Sequence, residues 1–506
     1  MREYQTGINR DENRDRFKIT DQSDNTVRNR RHEGKMKILL KRASILIVLL
    51  IFSGCSVHSP LIKGQEVDLP DSYSSEKPVS SPPVGRWWEW LGDEKLNALM
   101  EEALQNNLDI AQAYERLQQS LAIVRTTNSA RGPVLNIEGS GGRARKSGVT
   151  AETYTLSAAT SFEIDLWNKL GSRTRAARLD ALASEEDLRS LYISISAQVA
   201  DLYFLAIEHR AQIELSDNTI KSYRDTLKKV ESRYRHGLVP AIDLYQSRQN
   251  LSSARAQLPV FEQNLATTLN ALSVLTGRFP DNEIGGNANE LIDTPEFPAG
   301  IPSELLTKRP DIRSAWLRLN ATDERIGAAI ANRFPSFNLV GTYGGASTKV
   351  RNILDSPNIL WNILLQAVQP VIDSGRRSAE VERTRAVFRE KLAAYHKTVL
   401  NAFKEVEDSL IKNRSSEKRI SMLKENMAAS ENSLRIALDR YIQGLTDYLP
   451  VLTGQLHNFT AKSRLLAAKR QLISDRIELA RALGGEWTDE IMKEYLTDKK
   501  GSTYEH

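Results

Sequence analysis

Two hydrophobic rhythms alternate along this chain. The longer one is helical. No proline interrupts Asn168 to about His236, or Ser374 to Tyr441. In the second stretch Phe388, Leu392, Tyr395, Val399, Ala402 and Val406 recur at spacings of 4, 3, 4, 3 and 4. That is a coiled-coil seam, and the other faces are Lys, Arg and Glu. At about 1.5 Å per residue each stretch could run on the order of 100 Å. Helices of this kind cannot stand alone and must pack against partners.

The shorter rhythm has period two. Tyr154, Leu156, Ala158, Thr160, Phe162 and Ile164 alternate with Thr155, Ser157, Ala159, Ser161, Glu163 and Asp165. Phe337, Leu339, Gly341 and Tyr343 share one side of a second run, and Trp361, Ile363, Leu365 and Ala367 one side of a third. Leu135, Ile137 and Gly139 mark a fourth. Each run is about ten residues, the length of a tilted membrane strand. Gly139, Gly141 and Gly142, and later Gly344 and Gly345, are expected towards the turns.

The two rhythms recur in register. Arg131–Gly139 (RGPVLNIEG) matches Arg333–Gly341 (RFPSFNLVG) at a spacing of 202. Tyr234–Leu238 (YRHGL) matches Tyr441–Leu445 (YIQGL) at 207, and Leu275–Gly277 (LTG) matches Leu483–Gly485 (LGG) at 208. This is an ancient duplication with too long a period for a solenoid. Each half should run helix, strand pair, very long helix, tight turn, long helix.

Four membrane strands cannot close a barrel, because the smallest stable ones have about eight. An open edge in lipid leaves backbone groups unpaired at several kcal/mol each. Copies of the chain must therefore pool their strands, and three would supply about twelve. Two would supply about eight, so counting alone leaves the copy number open. The expected fold is mainly α with membrane β, four strands per chain contributing to a shared β-barrel, trimeric if three copies close it, continued by a long α-helical coiled-coil barrel.

Charge and the single cysteine refine this picture. The net charge is +5 over 506 residues, but the first 54 residues hold 12 basic and 7 acidic side chains, so the remainder is neutral. A nucleic-acid reader should show a basic face, so with its excess of basic residues confined to the leader that reading loses its main support. Met36–Cys55 (MKILLKRASILIVLLIFSGC) has a basic start, an apolar run from Ala43 to Phe52 and small residues before Cys55, which is a secretory signal. One cysteine makes neither an internal disulfide nor a zinc site.

The boundaries follow. Residues 1–35 read as an upstream extension that the cell does not use, 36–54 as the signal and 55–86 as a Ser/Pro-rich tether. Residues 87–280 and 302–487 are the two structural repeats, and 488–506 a tail. Trp87, Trp88 and Trp90 are expected to be covered, stapling the tether to a neighbouring helix.

Several motifs resemble one family. Trp87–Leu99 (WWEWLGDEKLNAL) resembles the opening segment of TolC-like outer-membrane factors, with Glu94 where Pro is usual. Lys308–Leu339 (KRPDIRSAWLRLNATDERIGAAIANRFPSFNL) resembles their central motif. Phe162–Gly171 (FEIDLWNKLG) and Gln369–Arg377 (QPVIDSGRR) resemble their barrel-to-helix junctions. Ser53-Gly54-Cys55 resembles a bacterial lipobox, with Phe52 where Leu is usual, and points to the lipidated NodT-type efflux branch. The resemblance implies lipid on Cys55, with Ser56 compatible with the outer membrane, and helices in the periplasm. It implies a homotrimer that docks on a periplasmic adaptor protein and serves an inner-membrane pump of the resistance-nodulation-division type. It implies no cofactor.

The same resemblance places an aperture at the two helix–helix turns. Gly237–Asp243 (GLVPAID) is similar to the first periplasmic tip, with Asp243 on its acidic position. Three copies of Asp243 facing one lumen would raise one another's pKa and attract cations. A helix N-terminal Asp that meets the helix dipole is the plainer alternative. Gly444–Gln455 (GLTDYLPVLTGQ) departs from the pattern, with Pro450 and Thr453 where relatives often carry Asp, and Asp447 shifted beside them. Closure there would rest more on Tyr441. Gly237 and Gly444 are the expected turn residues.

Nothing points to catalysis. His58, His209, His236, His396, His457 and His506 form no metal-spacing motif, and Gly139–Gly142 lacks a phosphate-binding Lys. The leading reading is an exit duct for small-molecule efflux. Its rivals are a duct for type I protein secretion and a coiled-coil surface lipoprotein with no pore.

Overall fold

The computed structural model describes residues 57–61, 70, 72–73, 85–281, 304–485 and 487–493. Cys55 and the expected signal lie outside these residues. The chain divides into two compact units. One holds residues 130–172 and 327–378, and the other holds 60–129, 173–326 and 379–506.

The first unit is built on four antiparallel strands in the order β1-β2-β3-β4: β1 Val134–Lys146, β2 Val149–Ile164, β3 Ser336–Ser347 and β4 Ile359–Val368. Register partners share a face. Phe337 pairs with Ile164 and Ala367, Leu339 with Phe162 and Leu365, Gly341 with Thr160 and Ile363, and Tyr343 with Ala158 and Trp361. Leu135, Ile137, Gly139 and Gly141 extend that apolar face across β1. The opposite face carries Asn136, Glu138, Ser157, Glu163, Asn338, Thr342, Asn362 and Gln366. β4 is only half polar there, because Leu360 and Leu364 share that side and are exposed.

The glycines of β1 are not at its turn. Gly139 and Gly141 lie mid-strand opposite Leu156 and Tyr154. A Cβ at Gly141 would come within 3.0 Å of the Tyr154 ring, so the missing side chain makes room for an aromatic one. The turn itself is Ser147-Gly148, both at positive φ (52° and 83°), which suits a two-residue hairpin.

Both strand pairs hand over to helices through an aspartate. Asp165 accepts from the backbone N–H groups of Leu170 (3.0 Å) and Gly171 (2.7 Å). Asp373 accepts from those of Gly375 (3.2 Å) and Arg377 (3.3 Å). Each satisfies donors that a helix start leaves unpaired.

The longer helices among the described residues are α1 Glu94–Asn106, α2 Leu108–Ser129, α3 Lys169–Arg235, α4 Ala241–Leu275, α5 Pro310–Ala331, α6 Arg376–Ile442 and α7 Leu449–Leu483. α2, α3 and α4 have 22, 67 and 35 residues, and α5, α6 and α7 repeat those lengths. The duplication is therefore structural. On α6 the seam residues Phe388, Tyr395, Val399, Ala402 and Val406 are buried and Leu392 is half-buried.

The ends of the repeats use one device twice, in the second unit. Asn107 Nδ2 donates to the carbonyl of Leu275 at the end of α4 (2.8 Å). Arg309 Nη1 donates to that of Ala482 at the end of α7 (2.8 Å) while its other nitrogens grip Asp311. Gly277 and Gly484 follow those helices at φ +73° and +78°. These two glycines are 207 apart, whereas α4 and α7 themselves match at the 208 of the LTG/LGG blocks. A Cβ on Gly277 would lie 2.5 Å from the Asn106 carbonyl oxygen, and one on Gly484 2.8 Å from that of Lys308. Gly277→Ala therefore meets both strain and a backbone clash, and should cost about 1–3 kcal/mol. The urea midpoint of the helical signal checks this.

The opening segment is a 3-10 turn, Trp87–Leu91. Trp87 and Trp88 are buried, but Trp90 is 44% exposed, because a single turn cannot direct all three indoles inward. Asp93 then caps α1, its Oδ1 accepting from Lys95 N (2.9 Å) and Leu96 N (3.1 Å). Glu94 stands at the first helical position, where Pro is favoured and an acidic side chain suits the dipole.

Candidate functional site

The two helix–helix turns close by the same hydrogen bonds. At the end of α3, Gly237 N donates to Tyr234 O (2.9 Å) and Leu238 N to Arg233 O (2.9 Å). At the end of α6, Gly444 N donates to Tyr441 O (3.0 Å) and Leu445 N to Arg440 O (2.9 Å). Both glycines are left-handed, at φ +69° and +77°. These are Schellman turns, which need a residue without Cβ strain at that position. Pro240 precedes α4 and Pro450 lies in the first turn of α7, where a missing N–H costs nothing.

The two hairpins meet over a small core. Val230 of α3, Leu244 of α4, Tyr441 of α6, and Tyr448 and Val451 at the start of α7 are buried together. The Tyr441 and Tyr448 rings pack edge to face at 5.3 Å. Arg233 from α3 reaches across, its guanidinium 5.2 Å from the Tyr441 ring centroid. Its Nη1 donates to the carbonyl of Ile442 at the end of α6 (2.5 Å). A cation there suits the C-terminal dipole.

Asp243 is in the first turn of α4 and only 6% exposed. Its Oδ2 accepts from the Tyr441 hydroxyl (3.3 Å). Burial pushes its carboxyl above the usual carboxylate range, against the pull of the Tyr441 hydrogen bond; Asp447 adds to the rise and Arg233 opposes it. Burial likewise raises the Tyr441 hydroxyl, which stays protonated and can donate. Asp447, by contrast, is exposed.

A polar layer lies one step along the helices from this core. Gln455 Nε2 donates to Thr226 Oγ1 (3.1 Å), and Asn250 Nδ2 donates to Gln455 Oε1 (3.1 Å), joining α7, α3 and α4. Sequence reasoning missed Arg233, Tyr448, Gln455, Asn250 and Thr226. One signal was readable: Arg233-Tyr234 and Arg440-Tyr441 repeat at 207. The repeat is broken in use. Tyr441 is buried while Tyr234 is 42% exposed, and Pro450 stands 207 residues after Asp243, so this contact occurs once per chain. Among the described residues no cluster of His, Cys, Asp and Glu is arranged to hold a metal.

The sequence profile of the outer membrane efflux protein family matches residues 99–278 and 301–485, most of the chain. The chain belongs to this family. It is 29% identical over 470 residues to the toluene efflux pump outer membrane protein TtgI of Pseudomonas putida, covering 88% of this chain and 98% of that one. It is 28% identical over 447 residues to the cation efflux system protein CusC of Escherichia coli, covering 87% and 98%. Among solved structures, a membrane protein from Pseudomonas aeruginosa superposes with a TM-score of 0.80 at 27% identity, over 86% of this chain and 98% of that one. This outer membrane efflux protein is thus a channel subunit of the outer membrane. Its strands contribute to a trimeric barrel and its long helices to a periplasmic helical barrel. The family is one of ducts rather than enzymes.

Proposed function

We propose that this channel is the exit duct of a tripartite pump for small molecules, gated at the tips of its helical hairpins. A periplasmic adaptor and a pump of the resistance-nodulation-division type would feed it, and lipid on Cys55 would help anchor it. The names of its relatives, efflux components for toluene and for cations, support export of small molecules. Selection among them belongs to the pump, because a wide aqueous duct discriminates poorly.

One observation carries the gate: the Tyr441 hydroxyl on Asp243 (3.3 Å) ties the α6–α7 hairpin to the α3–α4 hairpin. In this reading the contact clasps the closed tip. Opening parts the hairpins and turns Asp243 towards the water path, where it joins Asp447 as an acidic ring for cations. Single-channel recording in planar bilayers tests this. Asp243→Asn should lose block by divalent cations and shift cation selectivity; unchanged block and selectivity would reject the role. Tyr441→Phe removes one hydrogen bond, worth about 1 kcal/mol. It should raise the open-to-closed ratio about five-fold.

The clasp should also answer to pH. The buried carboxyl binds its proton more tightly than an exposed one, so low pH favours the clasped state. That advantage fades as pH rises through the raised value, above the usual 3.8. Open probability should therefore climb with pH across that window in the unmodified channel. It should stay flat in Asp243→Asn.

A further inference from the structure

The barrel rim away from the helices carries basic side chains on the wrong face for a water channel. Register fixes that face. Between the Phe337–Ile164 pair and the Tyr154–Ser347 pair lie ten residue steps. At about 3.4 Å per step and a tilt of about 40°, this band rises about 25 Å, the height of an outer-membrane barrel's apolar belt. Tyr154 is the aromatic at its upper edge, where such rings mark the membrane interface, and Tyr343 and Trp361 pair four steps below it.

β1 and β2 continue beyond the belt to the Ser147-Gly148 turn. Arg143 and Arg145 follow Gly141 by two and four positions, so they point to the same side as Leu135 and Ile137, outwards to lipid. They stand about 5–10 Å above the Tyr154 level, at headgroup height. Arg143 meets Glu152 at 3.6 Å, an exposed pair that holds little energy.

The β3–β4 connection adds to the same side. The Ile353 carbonyl occupies the space where a Cβ on Gly345 would stand. Gly345 shares its face with Tyr343, so the connection folds back over the lipid-facing side. Asn358 Nδ2 holds it closed by donating to Asn352 O (2.7 Å). It presents exposed Lys349 and Arg351 together with Val350 (63% exposed) and Leu354 (68%). Among the described residues no carboxylate pairs with Arg145, Lys349 or Arg351. Asp355 is the one acid of this connection. Cations beside exposed aliphatic side chains, above the apolar belt that ends at Tyr154, match a surface that is anionic outside and apolar beneath.

We infer that this rim is a lipid-binding site: Arg143, Arg145, Lys349 and Arg351 hold phosphate groups of outer-leaflet glycolipids, while Val350 and Leu354 enter their acyl boundary. The site rests on the barrel but not on the gate, and its occupant is the bilayer itself.

The test uses the full-length trimer in nanodiscs. One set contains phosphatidylcholine with bisphosphorylated lipid A, a second dephosphorylated lipid A, and a third phosphatidylcholine alone with inorganic phosphate. Native mass spectrometry counts retained glycolipid, and trimer dissociation is followed on heating. The unmodified trimer should retain bisphosphorylated lipid A at least five-fold over the dephosphorylated form and dissociate at a higher temperature with it. The combined variant Arg143→Ser, Arg145→Ser, Lys349→Ser and Arg351→Ser should lose both differences. Its unitary conductance, compared with the unmodified channel, shows separately that the barrel is intact. Should that variant not assemble, Arg351→Ser alone, off the strands, should lower retention about two-fold. Equal retention of the two lipids, equal retention by the variants, or the same protection from inorganic phosphate would overturn the proposal.

Discussion

An arginine at Ile363 should abolish the heat-resistant trimer, whereas an arginine at the adjacent Asn362 should leave it standing. The two residues are neighbours on β4, yet they face opposite ways. Ile363 pairs with Gly341 on the side of Leu339, Leu365 and Trp361, and Asn362 pairs with Thr342 on the side of Asn338 and Gln366. The row of Ile363 lies near the middle of the apolar belt. A basic side chain there costs about 2–4 kcal/mol in an outer-membrane barrel. Threefold symmetry applies that penalty three times to one barrel. On the water-filled side the same side chain stays hydrated and alters conduction, not assembly. Unboiled samples heated stepwise and run on denaturing gels separate the outcomes. Equal stability of Ile363→Arg and Asn362→Arg would mean that the faces are assigned the wrong way round, or that the sheet does not meet lipid.

The alternation of the two faces is legible in the sequence, and the reason is periodicity. Alternation at period two marks a sheet with unlike sides, and spacings of 3 and 4 mark the α6 seam; both belong to short stretches of chain. Duplication was readable too, because it only requires comparing the chain with itself. What escaped depends on partners far apart in sequence. Gly141 reads locally as a turn residue, and only its pairing with Tyr154 across the sheet explains it. Trp90 looked like Trp87 and Trp88, but the 3-10 geometry leaves it half in water. Arg309 gave no hint that it would close the end of α7, 173 residues later. At the tips, Gly237, Gly444 and the first-turn place of Asp243 could be read locally. The contacts of Asp243 with Tyr441, and of Tyr441 with Arg233, join different hairpins and leave no local trace.

The same principle identifies the most damaging change in the helical unit. Trp88 is 2% exposed and packs edge-on against Trp487 at 4.8 Å, so the start of the first repeat and the end of the second share one core. Beside it, Trp87 Nε1 donates to Ser196 Oγ on α3 (3.3 Å). Ile491 and Met492, in the same helical segment as Trp487, are also buried. Trp88→Ala removes a large buried ring that the surroundings cannot refill, at about 3–5 kcal/mol, and also removes an aromatic pair worth about 0.5–1.5 kcal/mol. The half-exposed Trp90 is its control, and Trp90→Ala should cost about 1 kcal/mol or less. Urea titration of the helical signal should show a much lower midpoint for Trp88→Ala alone. Limited proteolysis should then clip the segment around Trp487 first, because the indole that pinned it is gone. A midpoint within error of the Trp90→Ala value would show that residues 487–493 are held by contacts other than this pair, and that the two ends of the repeat array are not tied through it.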